Sequence, residues 1–253
     1  ESANILQSLG IGSEHIITTG DDALLFKSPD PLAAVNTEFQ SIPMGRKVVG
    51  INLRDSSSYG DKYPKLDTRY MADFLDDIGR KNDLHFMFVP ISLDTQDSDH
   101  KTAEAIIEQM AEKNRAQLVE NNWDAEQTRQ LIGHTDLALG ISYHFLLFAL
   151  SSATPTLGIY QNAYYKQKLS GLFKLYGCPD QAIELNPESP ILLSQSFDRL
   201  LLQADSLLNQ LQQENKNLST IFTSSRQLLT KALIEAIEED WSPRALIRYY
   251  ASA

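Results

Sequence analysis

Four short apolar runs, spaced by stretches of helical periodicity, constrain the fold of this chain more than any other feature. Lys47–Leu53 (KVVGINL), Leu84–Ile91 (LHFMFVPI), Asp136–Gly140 (DLALG) and Thr154–Ile159 (TPTLGI) each read as a buried strand. Ala116–Val119 reads as a weaker one. Between them, Leu66–Asn82 carries Met71, Phe74, Leu75 and Ile78 at amphipathic-helix spacing. Thr102–Lys113 gathers Ala105, Ile106 and Met110 on one face, Asp124 is placed to cap a helix over Ala125–Ile132, and Tyr143–Ser152 is a buried helix. This alternation predicts an α/β fold, a Rossmann-like parallel sheet with helices on both faces. Right-handed crossovers then bring the C-terminal ends of the strands to one edge, where open α/β sheets hold their ligands.

The flanks are less regular. Glu1–Phe26 shows a short helix ending at Gly10, a brief strand over His15–Thr19 and a tight turn at Gly20-Asp21-Asp22. Lys27–Gly45 contains Pro29, Pro31 and Pro43 with little periodicity and reads as a linker. Beyond Pro190, Ile191–Asn217 and Leu218–Glu239 are long Leu- and Gln-rich helical patterns, and Pro243 starts a last short helix. The expected organisation is residues 1–45, a Rossmann-like domain over 46–190 and a helical extension over 191–253. That extension reads as a brace or docking arm, or as a partner-binding helix.

Charge narrows the function classes. A net charge of −11 gives no general pull toward nucleic acid or anionic lipid, so no nucleic-acid partner is expected and any anionic ligand must be held by local cations. The one cysteine, Cys178, precludes an internal disulfide and reads as a small buried filler. No run approaches the ~18 apolar residues of a membrane span. The opening residues, ESANILQSLG, lack an initiator Met and a signal-peptide pattern, and are expected to begin inside a longer protein.

Three groups follow directly after predicted strands and are expected to meet on one edge. Arg54 ends KVVGINLRD, where its planar fork could grip a carboxylate or phosphate, or pair with Asp55 or Asp61. His144 opens the Tyr143–Ser152 helix just after Ser142; its imidazole suits general acid–base work beside a helix N-terminus that favours anions, or it is a satisfied core residue. Tyr160–Lys168 reads as a polar loop whose aromatic, amide and ammonium groups suit sugar or phosphate contact, or as a helix start with a solvated basic face. His15, His85, His100 and His134 do not pair with His144 or with a neighbouring carboxylate at metal-ligand spacing, so no metal site is expected. No P-loop, GxGxxG, GxSxG or HExxH pattern occurs, and no cofactor is expected.

Taken together, TGDDALLF at Thr19–Phe26, VVGINLRD at Val48–Asp55, DLALGISYHFLLFALSSATPTLGIY at Asp136–Tyr160 and NAYYKQKLSGL at Asn162–Leu172 resemble the polysaccharide pyruvyl transferase family. The ordered set spans roughly Thr19–Gly177. The resemblance implies that the sheet is a glycosyltransferase-B-like C-terminal domain, with the end of an N-terminal domain left in Glu1–Phe26. It implies a phosphoenolpyruvate donor, a sugar or lipid-linked saccharide acceptor, and a pyruvate ketal as product. His144 matches the family's catalytic histidine and Arg54 its strand-end arginine. Ser142, Tyr143, Asn162, Tyr164 and Lys168 fall where substrate contacts are expected. Ser142 departs from the pattern, because the family commonly carries a second arginine two residues before the histidine; Lys168 or Lys166 could replace that charge. A cytoplasmic location, at the inner face of the membrane, follows from the donor. Two other readings stay open: a nucleotide-sugar-dependent glycosyltransferase of the same fold class, and a non-catalytic sugar-binding or assembly module.

Overall fold

The computed structural model describes residues 2–25, 32–55, 57, 65–92, 98–120, 123–186 and 189–238. Their contacts form two compact units. One takes in the described residues up to Asp22 together with those from Lys216 on; the other is Ala23–Asn215.

The larger unit holds the sheet. In chain order its elements are α2 (Leu32–Phe39; α1 is Ser2–Ser8), β1 (Lys47–Asn52), α3 (Thr68–Asn82), β2 (Leu84–Phe88), α4 (Asp99–Gln109), β3 (Ala116–Leu118), α5 (Ala125–Gly133), β4 (Leu137–Gly140), α6 (Tyr143–Ser151), β5 (Thr156–Tyr160), α7 (Ala163–Leu175) and β6 (Ala182–Glu184). The helix α8, Pro190–Glu238, follows. All six strands are parallel, in the order β3-β2-β1-β4-β5-β6. The order reverses between β1 and β4, where Val49 to Asn52 face Leu137 to Gly140 in register. α3 packs on α4, α5 on α6 and α6 on α7, so right-handed crossovers cover one face with the first pair and the other face with the rest.

Burial explains why the strands lack alternation. Val49, Ile51, Phe86, Met87 and Leu139 are fully shielded, and Phe145, Phe173 and Phe197 on the helices are themselves fully buried. Gly140 is required by close approach: a Cβ there would stand 2.6 Å from the Phe145 ring and 3.2 Å from the Asn52 carbonyl oxygen. That contact seats the first turn of α6 against the end of β4. The caps follow local chemistry, with Asp67 accepting from Tyr70 N at 2.9 Å and Asp124 forming a capping box with Gln127.

Several expectations change. His15–Thr19 is not a strand: Ser13–His15 is a 3-10 turn, and residues 16–20 are irregular. The supposed linker contains α2, and a sixth strand, β6, lies beyond the last one expected. Of the two readings of Tyr160–Lys168, the helix start holds, because Tyr160 ends β5 and α7 begins at Ala163. The two C-terminal helical patterns are one helix, α8, with no Gly or Pro after Pro190 to break it. The short helix expected at Pro243 lies outside the described residues.

Candidate functional site

The site is built where the strand order reverses, at the ends of β1 and β4. The Asn52 side chain spans that seam. Its Nδ2 donates to the Val89 carbonyl and to Asp99 Oδ2, both at 2.9 Å, and its Oδ1 accepts from Ser142 N at 3.3 Å. Two residues on, Arg54 forks onto Asp99: Nε donates to Oδ1 at 2.6 Å and an Nη to Oδ2 at 3.2 Å. The partner is therefore Asp99, 45 residues away, and not Asp55, whose carboxylate accepts from Ser57 N; Asp61 lies outside the described residues.

Asp99 organises this side of the edge. It is 2% exposed and also accepts from the backbone amides of Ile91 at 2.8 Å and Ser92 at 2.9 Å. One buried carboxylate thus fixes the end of β1, the segment after β2 and the first turn of α4. A buried carboxylate is tolerated only when so satisfied.

On the other side of the seam, Ser142 is the buried N-cap of α6 and makes no side-chain cap hydrogen bond. Tyr143 and His144 are the first two residues of that helix. His144 is exposed, with its ring edge-on to Tyr143 at 5.5 Å and tilted against Phe148 at 6.4 Å. Lys168, on α7, places Nζ over the Tyr143 ring at 5.4 Å and over the Tyr164 ring at 5.1 Å. The structure thus brings Ser142, Tyr143, His144, Tyr164 and Lys168 into one run of contacts. Asn162 has a local role, its side chain accepting from Tyr165 N at 2.9 Å as the cap of α7.

A cavity of about 330 Å³ opens beside His144. Val89, Ile91, Val119, His100, Glu120 and Trp123 also line it. Arg54 does not line this cavity; it lies on the β1 side of the seam. His100, in the first turn of α4, sets Nδ1 3.5 Å from Glu104 Oε2, an i,i+4 pair that the sequence alone did not reveal. Asn52 and Asp99 were missed as well, since their partners lie far along the chain and are partly backbone. Among the described residues, no group of three His, Cys, Asp or Glu side chains could hold a metal ion.

The remaining histidines have other surroundings. His85, in β2, is 4% exposed and neither ring nitrogen has a hydrogen-bond partner. Burial, aided by the nearby Arg46 and Arg115 guanidiniums, lowers its imidazole to about 4. His134 Nδ1 lies 2.8 Å from the Gln130 carbonyl. Cys178 is buried, and burial pushes its thiol up to about 12.

Comparison with known proteins shows the family and the fold. The family model for polysaccharide pyruvyl transferase matches residues 1–162. The chain belongs to the polysaccharide pyruvyl transferase family. No curated protein matches the sequence. Solved structures show the fold: the UDP-GlcNAc 2-epimerase from Neisseria meningitidis bound to UDP-GlcNAc superposes with a TM-score of 0.59 at 16% identity, covering 92% of this chain and 58% of that one. A putative UDP-N-acetylglucosamine 2-epimerase from Listeria monocytogenes gives 0.58 at 15% identity, covering 95% and 58%. A mutant O-GlcNAc transferase from Thermobaculum terrenum gives 0.50 at 16%, covering 74% and 35%. These neighbours identify the pyruvyl transferase sheet as glycosyltransferase-B-like. The chain spans 58% of the length of the two epimerases. Among the described residues, no helix is long and apolar enough to cross a membrane.

Proposed function

We propose that this pyruvyl transferase family member moves a pyruvyl group from phosphoenolpyruvate to a sugar of a cell-surface polysaccharide and closes a ketal across two hydroxyls. The observation that carries the reading is the exposed His144 at the N-terminus of α6, on the same sheet edge as an Arg54 held in fixed orientation by Asp99. A cytoplasmic site of action, at the inner membrane face where lipid-linked acceptors are assembled, is part of the same proposal.

Protonated His144 delivers its proton to the methylene carbon of phosphoenolpyruvate, and positive character develops at C2, where a sugar hydroxyl attacks. Arg54 and the backbone N–H groups opening α6 stabilise the donor's phosphate and carboxylate. Lys168, steadied by the Tyr143 and Tyr164 rings, supplies the cation that the family's second arginine provides at the position of Ser142. A second hydroxyl displaces phosphate.

The test measures pyruvyl transfer to sugar acceptors. His144→Ala is expected to lower the rate by about 10²–10³, and Lys168→Met to raise the KM for phosphoenolpyruvate about tenfold. Unchanged turnover in His144→Ala removes that residue from the role. Thermal stabilisation by a UDP-sugar, with none from phosphoenolpyruvate, favours the nucleotide-sugar reading instead.

A further inference from the structure

Resting on the pyruvyl-transfer reading, we infer that His100, backed by Glu104, is the base that takes the first proton from the acceptor, and that the cavity it shares with His144 seats the acceptor sugar. Forming a ketal from an enol phosphate and a diol removes two hydroxyl protons; one ends on the new methyl group and the other on the departing phosphate. An imidazole that begins protonated and gives its proton to carbon cannot, at the same moment, receive the proton of the attacking hydroxyl. A second acceptor of protons is needed.

The cavity beside His144 offers the His100 imidazole, with the Glu120 carboxylate also on its wall. Of the five histidines, His100 and His144 line the same cavity, whereas His15 pairs with Glu14 and does not line it, His85 is buried away from water and His134 is engaged by a backbone carbonyl. His100 Nδ1 faces the Glu104 carboxylate at 3.5 Å in a partly exposed pair, which turns Nδ1 toward the acid and leaves Nε2 to take the proton. Its position is set by its neighbour, for Asp99 is anchored by Arg54, Asn52 and two backbone amides. The same carboxylate therefore positions the donor-side guanidinium and the first turn that carries His100. Val89 and Val119 give the cavity apolar walls and Trp123 a flat aromatic one, a surface suited to the face of a pyranose ring.

The proton inventory closes with these two groups. His144 starts protonated and His100 neutral. His144 gives its proton to C3 of phosphoenolpyruvate while the first hydroxyl oxygen bonds to C2 and His100 takes that hydroxyl's proton. The second hydroxyl oxygen then bonds to C2 as the bond from C2 to the phosphate oxygen breaks, its electron pair leaving with phosphate. The leaving phosphate receives the proton from His100, and the second hydroxyl's proton passes to His144. Both imidazoles finish as they began.

The experiment uses the whole chain with phosphoenolpyruvate and a panel of methyl hexopyranosides that carry free diols. His100→Gln is expected to lower kcat by about 10²–10³ with the KM for phosphoenolpyruvate within about twofold of wild type. Added free imidazole is expected to restore part of the rate in His100→Gly, which a merely structural loss would not allow. Glu104→Gln is expected to lower kcat about tenfold. Wild-type turnover in His100→Gln, or a folded His100→Gly that imidazole does not rescue, overturns the inference and leaves the pyruvyl-transfer reading standing. A wild-type chain that transfers no pyruvyl group to any acceptor overturns both.

Discussion

Asp99→Asn tests whether one buried carboxylate anchors the sheet edge. The substitution keeps the volume of the side chain and removes its charge. Asp99 accepts five donor contacts: two from Arg54, one from Asn52 and two from the backbone of Ile91 and Ser92. An amide can satisfy some of these only by turning its NH₂ toward another donor. Arg54 then faces a neutral group although its own side chain is 15% exposed. Removing one partner of a buried ion pair costs about 3–5 kcal/mol; the remaining amide oxygen and the partial exposure of Arg54 place the expectation at about 3. For a unit of this size that is a fall in Tm of about 6–12 °C. The control is Asp73→Asn, whose i,i+4 pair with Arg69 is exposed on both sides and should be worth less than about 0.5 kcal/mol. Thermal unfolding followed by far-ultraviolet circular dichroism reads both. A shift in Asp99→Asn no larger than in the control would refute the anchoring argument.

Two further outcomes follow from burial. His85 remains neutral when folded until about pH 4, whereas in the unfolded chain it takes up a proton near 6.5, so the unfolded state binds the extra proton in that window and stability falls as pH drops through it. The loss is on the order of 2–3 kcal/mol in urea unfolding, and His85→Phe should flatten that limb; an unchanged pH slope in the variant counts against it. Gly140→Val forces its side chain into the Phe145 ring and should destabilise by about 1–3 kcal/mol, read as a lower urea midpoint; a wild-type midpoint would show that α6 is not seated by this contact.

The parallel sheet was legible because buried strands announce themselves as unbroken apolar runs, and β1, β2, β4 and β5 all lie within the runs that predicted them or extend one residue beyond. β6 escaped notice because Ala182–Glu184 is three residues long and only partly shielded. The Ile16-Ile17-Thr18-Thr19 run has strand propensity, but it joins no sheet, and propensity without pairing does not hold a strand. Tyr160–Lys168 admits both a loop and a helix start because, after Ala163, the first turn of α7 is Tyr, Lys and Gln; the cap at Asn162, three residues before Tyr165, is the signal that decides for a helix. At the site, the positions of Arg54 and His144 after β1 and β4 could be read from strand ends. Asp99 could not, because DTQDSDH looks like any acidic surface segment until its donors, from Arg54 and the backbone, are folded around it. His100 lacks metal-ligand spacing, and its acid partner four residues on is recognisable as a pair only once α4 is formed.

The Asn52 amide has a further consequence. With its nitrogen bound toward β2 and α4 and its oxygen toward β4, it rivets the two halves of the sheet where their directions of growth diverge. Arg54 follows β1 and His144 follows β4, so the pairing of these two strands sets how far apart the two backbone positions stand. In the proposed reaction, a donor that bridges Arg54 and His144 has to match the spacing of those two strand ends.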